Sequence, residues 1–140
     1  MGDNRRRLEA INATQDCDYD IDRWHFRVSK VCSGDLMKLE IRSLDKTDVD
    51  TIWVINEEGL PGTGKVSRDE IEALLDFSSL AVGAYSCEKL VGFVICLPPK
   101  TEYGSLNYAW FNQHYAEFLY VDRVAVSTQF QNQKIGTLLY

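Results

Sequence analysis

The sequence contains no long apolar segment and no secretion signal. No stretch approaches the roughly 20 apolar residues that a membrane-spanning helix needs. Arg5, Arg6 and Arg7 stand near the N-terminus, but the apolar core of a signal peptide does not follow them. We therefore predict a cytoplasmic protein that does not enter a membrane.

The sequence also lacks paired cysteines. Its four cysteines, Cys17, Cys32, Cys87 and Cys96, include no Cys-x-x-Cys pair, and Cys96 lies in an apolar run where a thiol usually acts as a small hydrophobic side chain. Cys17, His25 and Cys32 carry metal-ligating atoms, but their spacing matches no zinc-finger pattern and a fourth ligand is missing. We predict neither a disulfide bond nor a metal site.

Positive charge is scarce. The 140 residues include 15 Lys and Arg against 21 Asp and Glu, which gives a net charge of −6. This charge argues against the phosphate backbone of a nucleic acid as the main partner, and an amine or cationic substrate suits it better. The 45% apolar and 11% aromatic content is enough for a hydrophobic core, and the length is that of one domain.

The sequence divides into two parts by pattern. Residues 1–36 show no sustained helical or strand period, and we predict a poorly ordered N-terminal extension there. Residues 37–140 are predicted to form the domain. Within it, residues 37–42 begin an alternation of apolar and polar side chains that predicts a first strand.

Two helices are predicted next. The first helix shows the i, i+3, i+4, i+7 spacing of one buried stripe, formed by Val49, Ile52, Trp53 and Asn56, and it should end near Gly59. Residues 67–70, Ser-Arg-Asp-Glu, form a capping box, in which the Ser hydroxyl and the Glu carboxylate accept hydrogen bonds from free backbone amides. The second helix should start there.

The second half of the sequence predicts a hairpin, an insertion, a strand and a helix. Residues 80–85 and 90–97 are apolar runs of strand length with a short polar connection. An aromatic insertion follows, with a short helix expected near residues 108–117. Residues 118–126 are rich in aromatic and β-branched side chains and predict a strand, and residues 131–140 open a helix within which the sequence ends.

The order of these elements and one turn resemble a known enzyme superfamily. Residues 131–136, Gln-Asn-Gln-Lys-Ile-Gly, follow a strand that ends in Arg123-Val124-Ala125-Val126. They are similar to the phosphate-binding turn of the GNAT superfamily of N-acetyltransferases, and the resemblance covers about residues 39–140. It implies an α/β fold with a mixed, mainly antiparallel sheet flanked by helices, incomplete at the C-terminus.

The resemblance implies acetyl-coenzyme A (acetyl-CoA) as the cofactor. Backbone amides at a helix N-terminus attract a pyrophosphate, and an irregularity of the preceding strand near residues 124–126 would aim an amide at the oxygen that becomes negative during the reaction. Lys134 stands where the family usually has its first Gly. The implied cofactor-binding residues are Val124, Ala125, Val126, Gln131, Asn132, Gln133, Lys134, Ile135, Gly136 and Thr137.

The resemblance also implies direct attack of a primary amine on the acetyl group. Asp122 matches a position where many relatives carry a carboxylate that relays the amine proton through water. Tyr120 projects to the same face by strand period and would position the substrate. Tyr108, Trp110 and Phe111 are the candidate wall of the acceptor site, where their rings would suit a cationic group.

Each of these side chains also has a structural interpretation. Asp122 would pair with Arg123, Tyr120 would pack in the core, and the aromatic insertion would cover the core. A sheet that ends at this strand has an open edge, which favours a homodimer or strand pairing with another chain. We expect this polypeptide alone to bind acetyl-CoA weakly and to turn over poorly or not at all.

Two other functions are compatible with the sequence. The segment from Gly59 to Lys65, Gly-Leu-Pro-Gly-Thr-Gly-Lys, fits the core of a P-loop nucleotide hydrolase, although Val66 replaces the Ser or Thr that would bind magnesium. Carboxylates on both sides of this segment would repel phosphate. The third hypothesis is a non-catalytic interaction module that keeps only half of the GNAT fold.

Overall fold

The computed structural model describes residues 28–31 and 38–140. The predicted extension, residues 1–36, therefore lies outside the described residues apart from Val28–Val31, and so do Cys17, His25 and Cys32. Val28–Val31 forms strand β1 and pairs with β2, Lys38–Ser43, in antiparallel register. A strand of four residues is too short for its period to be seen in the sequence.

The described strands form one sheet of five strands in the order β1-β2-β3-β4-β5, and each neighbouring pair is antiparallel. The remaining strands are β3 (Leu80–Ser86), β4 (Lys89–Leu97) and β5 (Tyr120–Val126). The predicted hairpin is confirmed, and its turn residues Cys87 and Glu88 have φ of 48° and 64°. Positive φ at both central residues matches the right-handed twist of the paired strands.

Four helices accompany the sheet in the described ranges, namely α1 (Val49–Glu58), α2 (Arg68–Phe77), α3 (Leu106–His114) and α4 (Ile135–Leu139). The predicted capping box of α2 is confirmed: the Ser67 hydroxyl accepts from the Glu70 amide, and the Glu70 carboxylate accepts from the Ser67 amide over 2.7 Å. None of these helices is long and apolar enough to cross a membrane.

The helices cover both faces of the sheet. Phe93, Ile95 and Leu97 of β4 point to the face on which α1, α2 and α3 pack. Val91, Val94 and Cys96 point to the opposite face, where Ile135 and Leu139 of α4 pack. Burial on both faces explains why β4 is a continuous apolar run rather than an alternating one. The result is the predicted sheet flanked by helices.

Candidate functional site

Strand β5 contains a β-bulge at Asp122. Ile95 of β4 lies opposite Arg123, and the next residue, Cys96, lies opposite Val121, so Asp122 has no partner across the strands. A bulge leaves part of the hydrogen-bonding ladder unmade and bends the strand. The irregularity expected near residues 124–126 is therefore found at Asp122 instead, two residues before Val124, and residues 124–126 pair with β4 in regular register.

A cavity of about 430 Å³ lies along this bulged strand. One wall, the bulge wall, is formed by residues 121–126 of β5 together with Gln131. The other wall, the loop wall, belongs to the connection between α1 and α2 and includes Gly59, Gly62 and Thr63. The structure thus brings five predicted site residues to one cavity: Asp122, Val124, Ala125, Val126 and Gln131.

The other predicted cofactor-binding residues lie beyond this cavity, in the turn before α4 and in α4 itself. The side chains of Asn132, Gln133, Lys134 and Thr137 are exposed. Ile135 is only 1% exposed and packs in the core beneath the sheet. Its side chain therefore anchors α4, and only its backbone is available for a ligand.

The turn before α4 has room and backbone geometry for a phosphate group. A side chain at Gly136 would meet only Val126, at 4.0 Å, so the space beside the helix start is open. Lys134 has φ of 61°, a left-handed conformation that glycine adopts without strain. Lys134, at the position where the GNAT family usually has glycine, thus has a backbone conformation that favours glycine. First-turn amides of a helix have no acceptor within the helix, and the residues present fit the pyrophosphate of a coenzyme A.

Asp122 and Arg123 form a buried ion pair at the bulge. Arg123 Nε donates to Asp122 Oδ2 over 2.9 Å, and the side chains of Arg123 and Asp122 are 8% and 5% exposed. Burial, with a smaller effect of the neighbouring Asp122 carboxylate, raises the pKa of Tyr103 to about 12. The pairing of Asp122 with Arg123, one of the two interpretations from the sequence, is present, and a catalytic role for Asp122 stays a prediction.

Asn56 connects the two walls of the cavity, and the sequence did not identify it as a site residue. It is fully buried on α1, accepts a hydrogen bond from Arg123 and donates one to the Gly64 carbonyl. The feature of the sequence that could have identified Asn56 is its polar amide at a position of the buried, otherwise apolar stripe of α1. Such a residue needs hydrogen-bond partners in the interior.

The predicted acceptor-site aromatics do not line this cavity. Tyr108 is buried, donates its hydroxyl to the Pro98 carbonyl over 2.6 Å and packs edge-on against Tyr120. Tyr120 packs against the core on the α1 side, so the structural interpretation of both tyrosines is observed. Trp110 and Phe111 are 49% and 38% exposed on α3, outside the cavity.

The P-loop hypothesis is wrong. A P-loop connects a buried strand to a helix, whereas residues 59–65 follow helix α1. Two residues of this segment bind Asn56. The Gly64 carbonyl accepts a hydrogen bond from the Asn56 side-chain amide, and the Thr63 hydroxyl donates one to the Asn56 backbone carbonyl.

Solved structures share this architecture at low sequence identity. The ribosomal-protein-S18-alanine N-acetyltransferase from Escherichia coli aligns with a TM-score of 0.53 and 18% identity, covering 72% of this chain and 54% of that one. The PaiA N-acetyltransferase from Thermoplasma acidophilum, in complex with coenzyme A, gives 0.51 and 19%, covering 74% and 67%. GphF, a GNAT-like decarboxylase in complex with isobutyryl-CoA, gives 0.58 and 16%, covering 71% and 54%.

No protein-family model and no curated protein matches the sequence. The chain spans little more than half the length of the Escherichia coli enzyme and of GphF. At these identities the similarity concerns the fold, and function has to be argued from the site. The architecture described above, a bulged strand followed by a turn and helix α4 in an antiparallel sheet flanked by helices, is a fold that this chain shares with these two solved N-acetyltransferases and the GNAT-like decarboxylase.

Proposed function

We propose that this chain carries the acetyl-CoA site of an N-acetyltransferase that transfers an acetyl group to a primary amine by direct attack. The observation that carries the proposal is the cavity along the bulge, since it gathers Asp122, residues 124–126 and Gln131 at the strand before α4. Two solved structures of the same fold contain coenzyme A or an acyl-CoA. Bound acetyl-CoA would supply an acetyl group activated as a thioester.

Backbone groups of this chain perform most of the proposed binding. The amides of residues 131–137, with the α4 dipole behind them, would hold the pyrophosphate, and the Lys134 ammonium would add positive charge. The backbone of Val124, Ala125 and Val126 would lie along the rest of the cofactor. The bulge frees strand amides that would donate to the carbonyl oxygen as it gains negative charge.

Asp122 is the proposed proton acceptor for the amine. Asp122 lines the cavity, and its carboxylate is held by the ion pair with Arg123, so its position is fixed before a substrate binds. A positioned base of this kind typically contributes about 10²- to 10⁴-fold to the rate. Tyr120 and Tyr108 would contribute by holding β5 in place through their packing, whereas Trp110 and Phe111 would contact only an acceptor that extends beyond the cavity.

Thermal melting with two ligands tests the proposal. A ligand that binds the folded state stabilises it by about 2.7 kcal/mol at 100 times its Kd. We expect acetyl-CoA and CoA to raise the melting temperature and ATP with magnesium to leave it unchanged. Stabilisation by ATP alone would contradict the proposal, and stabilisation by neither would favour a non-catalytic module.

The Asp122→Asn variant separates binding from proton transfer. We expect it to retain stabilisation by acetyl-CoA and to lower acetyl transfer to an amine at least about tenfold. The matched control is Asp76→Asn, which removes a carboxylate from an exposed ion pair with Lys46. A variant Asp122→Asn that transfers acetyl groups as fast as the control would remove Asp122 from the proposed mechanism.

A further inference from the structure

Asn56 is a polar side chain with no access to solvent. It lies in the last turn and a half of α1, between the sheet and the connection to α2, and its neighbours in the buried stripe are Ile52 and Ile55. A primary amide without partners at such a position would be strongly destabilising. Its retention in the interior therefore depends on the two hydrogen bonds that the side-chain amide makes.

These hydrogen bonds fix the orientation of the amide. Arg123 Nη1 donates to Asn56 Oδ1 over 2.9 Å, and Asn56 Nδ2 donates to the Gly64 carbonyl over 3.0 Å. A guanidinium only donates and a carbonyl only accepts, so the opposite orientation of the amide would lose both bonds. The backbone carbonyl of Asn56 accepts a third bond, from the Thr63 hydroxyl, over 2.9 Å.

The three bonds reach both walls of the candidate site. Arg123 follows Asp122 in the bulge wall and is ion-paired with it, while Thr63 and Gly64 belong to the loop that carries the other wall. Arg123 also lines a second cavity, of about 460 Å³, between α2 and the segment before α3. The network of Asn56 and Arg123 is thus the buried connection between β5 and the α1–α2 loop.

We propose that Asn56 is a positioning residue that sets the separation of the bulge wall from the loop wall. This inference rests on the proposed function, because it assigns Asn56 a role in acetyl-CoA binding without contact to the ligand. The amide serves both walls at once, with its oxygen directed to the bulge and its nitrogen to the loop. No charged residue of similar size would do so, since a carboxylate lacks the donor and an ammonium lacks the acceptor.

The variant Asn56→Asp cuts the network on one side only. Asp keeps an oxygen for Arg123, and the added charge strengthens that bond, but it loses the donor to Gly64 and directs an oxygen at the carbonyl. Asn56→Leu removes both bonds and serves as the second variant. Asn112→Asp is the matched control, because the Asn112 side-chain oxygen accepts from the Lys100 amide at an exposed position on α3 and remains after the change.

Hydrogen exchange of backbone amides in the full chain measures the two walls separately. In Asn56→Asp we expect the amides of residues 59–64, apart from Pro61, which has none, to exchange about tenfold faster. Those of residues 121–126 should stay within about twofold of the unmodified protein. Asn56→Leu should accelerate both groups. If Asn56→Leu does not fold, the comparison of Asn56→Asp with the control Asn112→Asp decides whether Asn56 holds the loop wall. Equal acceleration of both walls in Asn56→Asp, or no change in residues 59–64, would overturn the proposal.

Titration with acetyl-CoA completes the test. We expect the Kd of Asn56→Asp to be about tenfold higher than that of Asn112→Asp at a temperature where both are folded, since small displacements of a site weaken binding strongly. Equal Kd values would overturn the role in binding. If the unmodified protein does not bind acetyl-CoA, the proposed function fails, and the exchange pattern alone still decides whether Asn56 couples the walls.

Discussion

Lys134 has a left-handed backbone conformation at a position where the resemblance to the GNAT superfamily implies glycine. Its φ of 61° lies in the left-handed region, and no side-chain hydrogen bond caps α4 there. A residue other than glycine loses roughly 1 kcal/mol or more in this conformation, because its Cβ crowds the following carbonyl. The sequence shows a lysine where the resemblance implies a glycine, but it does not show that this residue adopts the left-handed conformation.

We predict that Lys134→Gly stabilises the protein by about 0.5 kcal/mol. The relief of left-handed strain exceeds the larger conformational entropy that glycine gains in the unfolded chain. Urea unfolding followed by circular dichroism measures the difference. Lys134→Ala is the control, because it removes the charge and keeps the strain, and a gain in stability with Ala equal to that with Gly would contradict the explanation.

The two cysteines in the described domain should differ in reactivity. Cys96 is buried in the sheet, and burial, with a smaller effect of the Asp122 charge, raises the pKa of its thiol, whereas Cys87 is exposed in the hairpin turn. Only a thiolate reacts quickly. We expect iodoacetamide to label Cys87 in the folded protein and Cys96 only after unfolding, as read by peptide mass mapping. Labelling of Cys96 at the rate of Cys87 would show that β4 is accessible to reagents.

At the residue scale, the sequence predicted the features that depend on local pattern. The Ser67 cap is correct because a capping box involves neighbours in one turn. The roles of Tyr108 and Tyr120 could not be decided, since their contacts join the insertion to β5. The bulge at Asp122 arises from a register shift against β4, and strand period alone had placed Asp122 and Tyr120 on one face.

At the scale of elements, the segment after β5 is tied to the end of α1. The Glu58 carboxylate accepts from the Thr128 amide over 2.8 Å and from the Thr128 hydroxyl over 3.2 Å. The backbone hydrogen bond from Thr128 is the main reason that the pKa of Glu58 lies below its usual value of 4.5. This contact joins the loop wall to the turn that precedes α4.

We predict that the stability difference between the unmodified protein and Glu58→Gln depends on pH. Because the folded-state pKa is lowered, the contribution of the Glu58 carboxylate is present above pH 4.5 and is lost as the pH falls through the folded-state value. Urea unfolding of both proteins at pH 7 and pH 3 gives the measurement. The difference should be clear at pH 7 and smaller at pH 3, and a difference that grows on acidification would contradict the assignment.

The elements themselves were predicted well where their pattern is long. Helices α1 and α2 and the hairpin were expected within a few residues of their observed ends. The sequence does not predict strand β1, because this strand has only four residues and forms by pairing with β2. Helix α3 begins at Leu106, two residues before its predicted start, since the Ser105 hydroxyl caps it from within a polar turn.

At the scale of the whole molecule, the order of the elements carried more information than any motif. The phosphate-binding turn departs from the GNAT pattern at one position, and the P-loop segment fits its own pattern nearly as well, yet only the former follows a strand. Within the described residues β5 pairs only with β4. The predicted pairing of its free edge with another copy stays a prediction.

The most direct test of the central claim is to map acetyl-CoA binding on the whole protein by NMR. Titration of ¹⁵N-labelled protein should shift the amides of residues 121–126 and 131–137, because the account places the cofactor along the bulge and on the turn before α4. Shifts confined to another region, such as the cavity lined by Arg42, Tyr85 and Lys89, or no shifts at saturating acetyl-CoA, would contradict it.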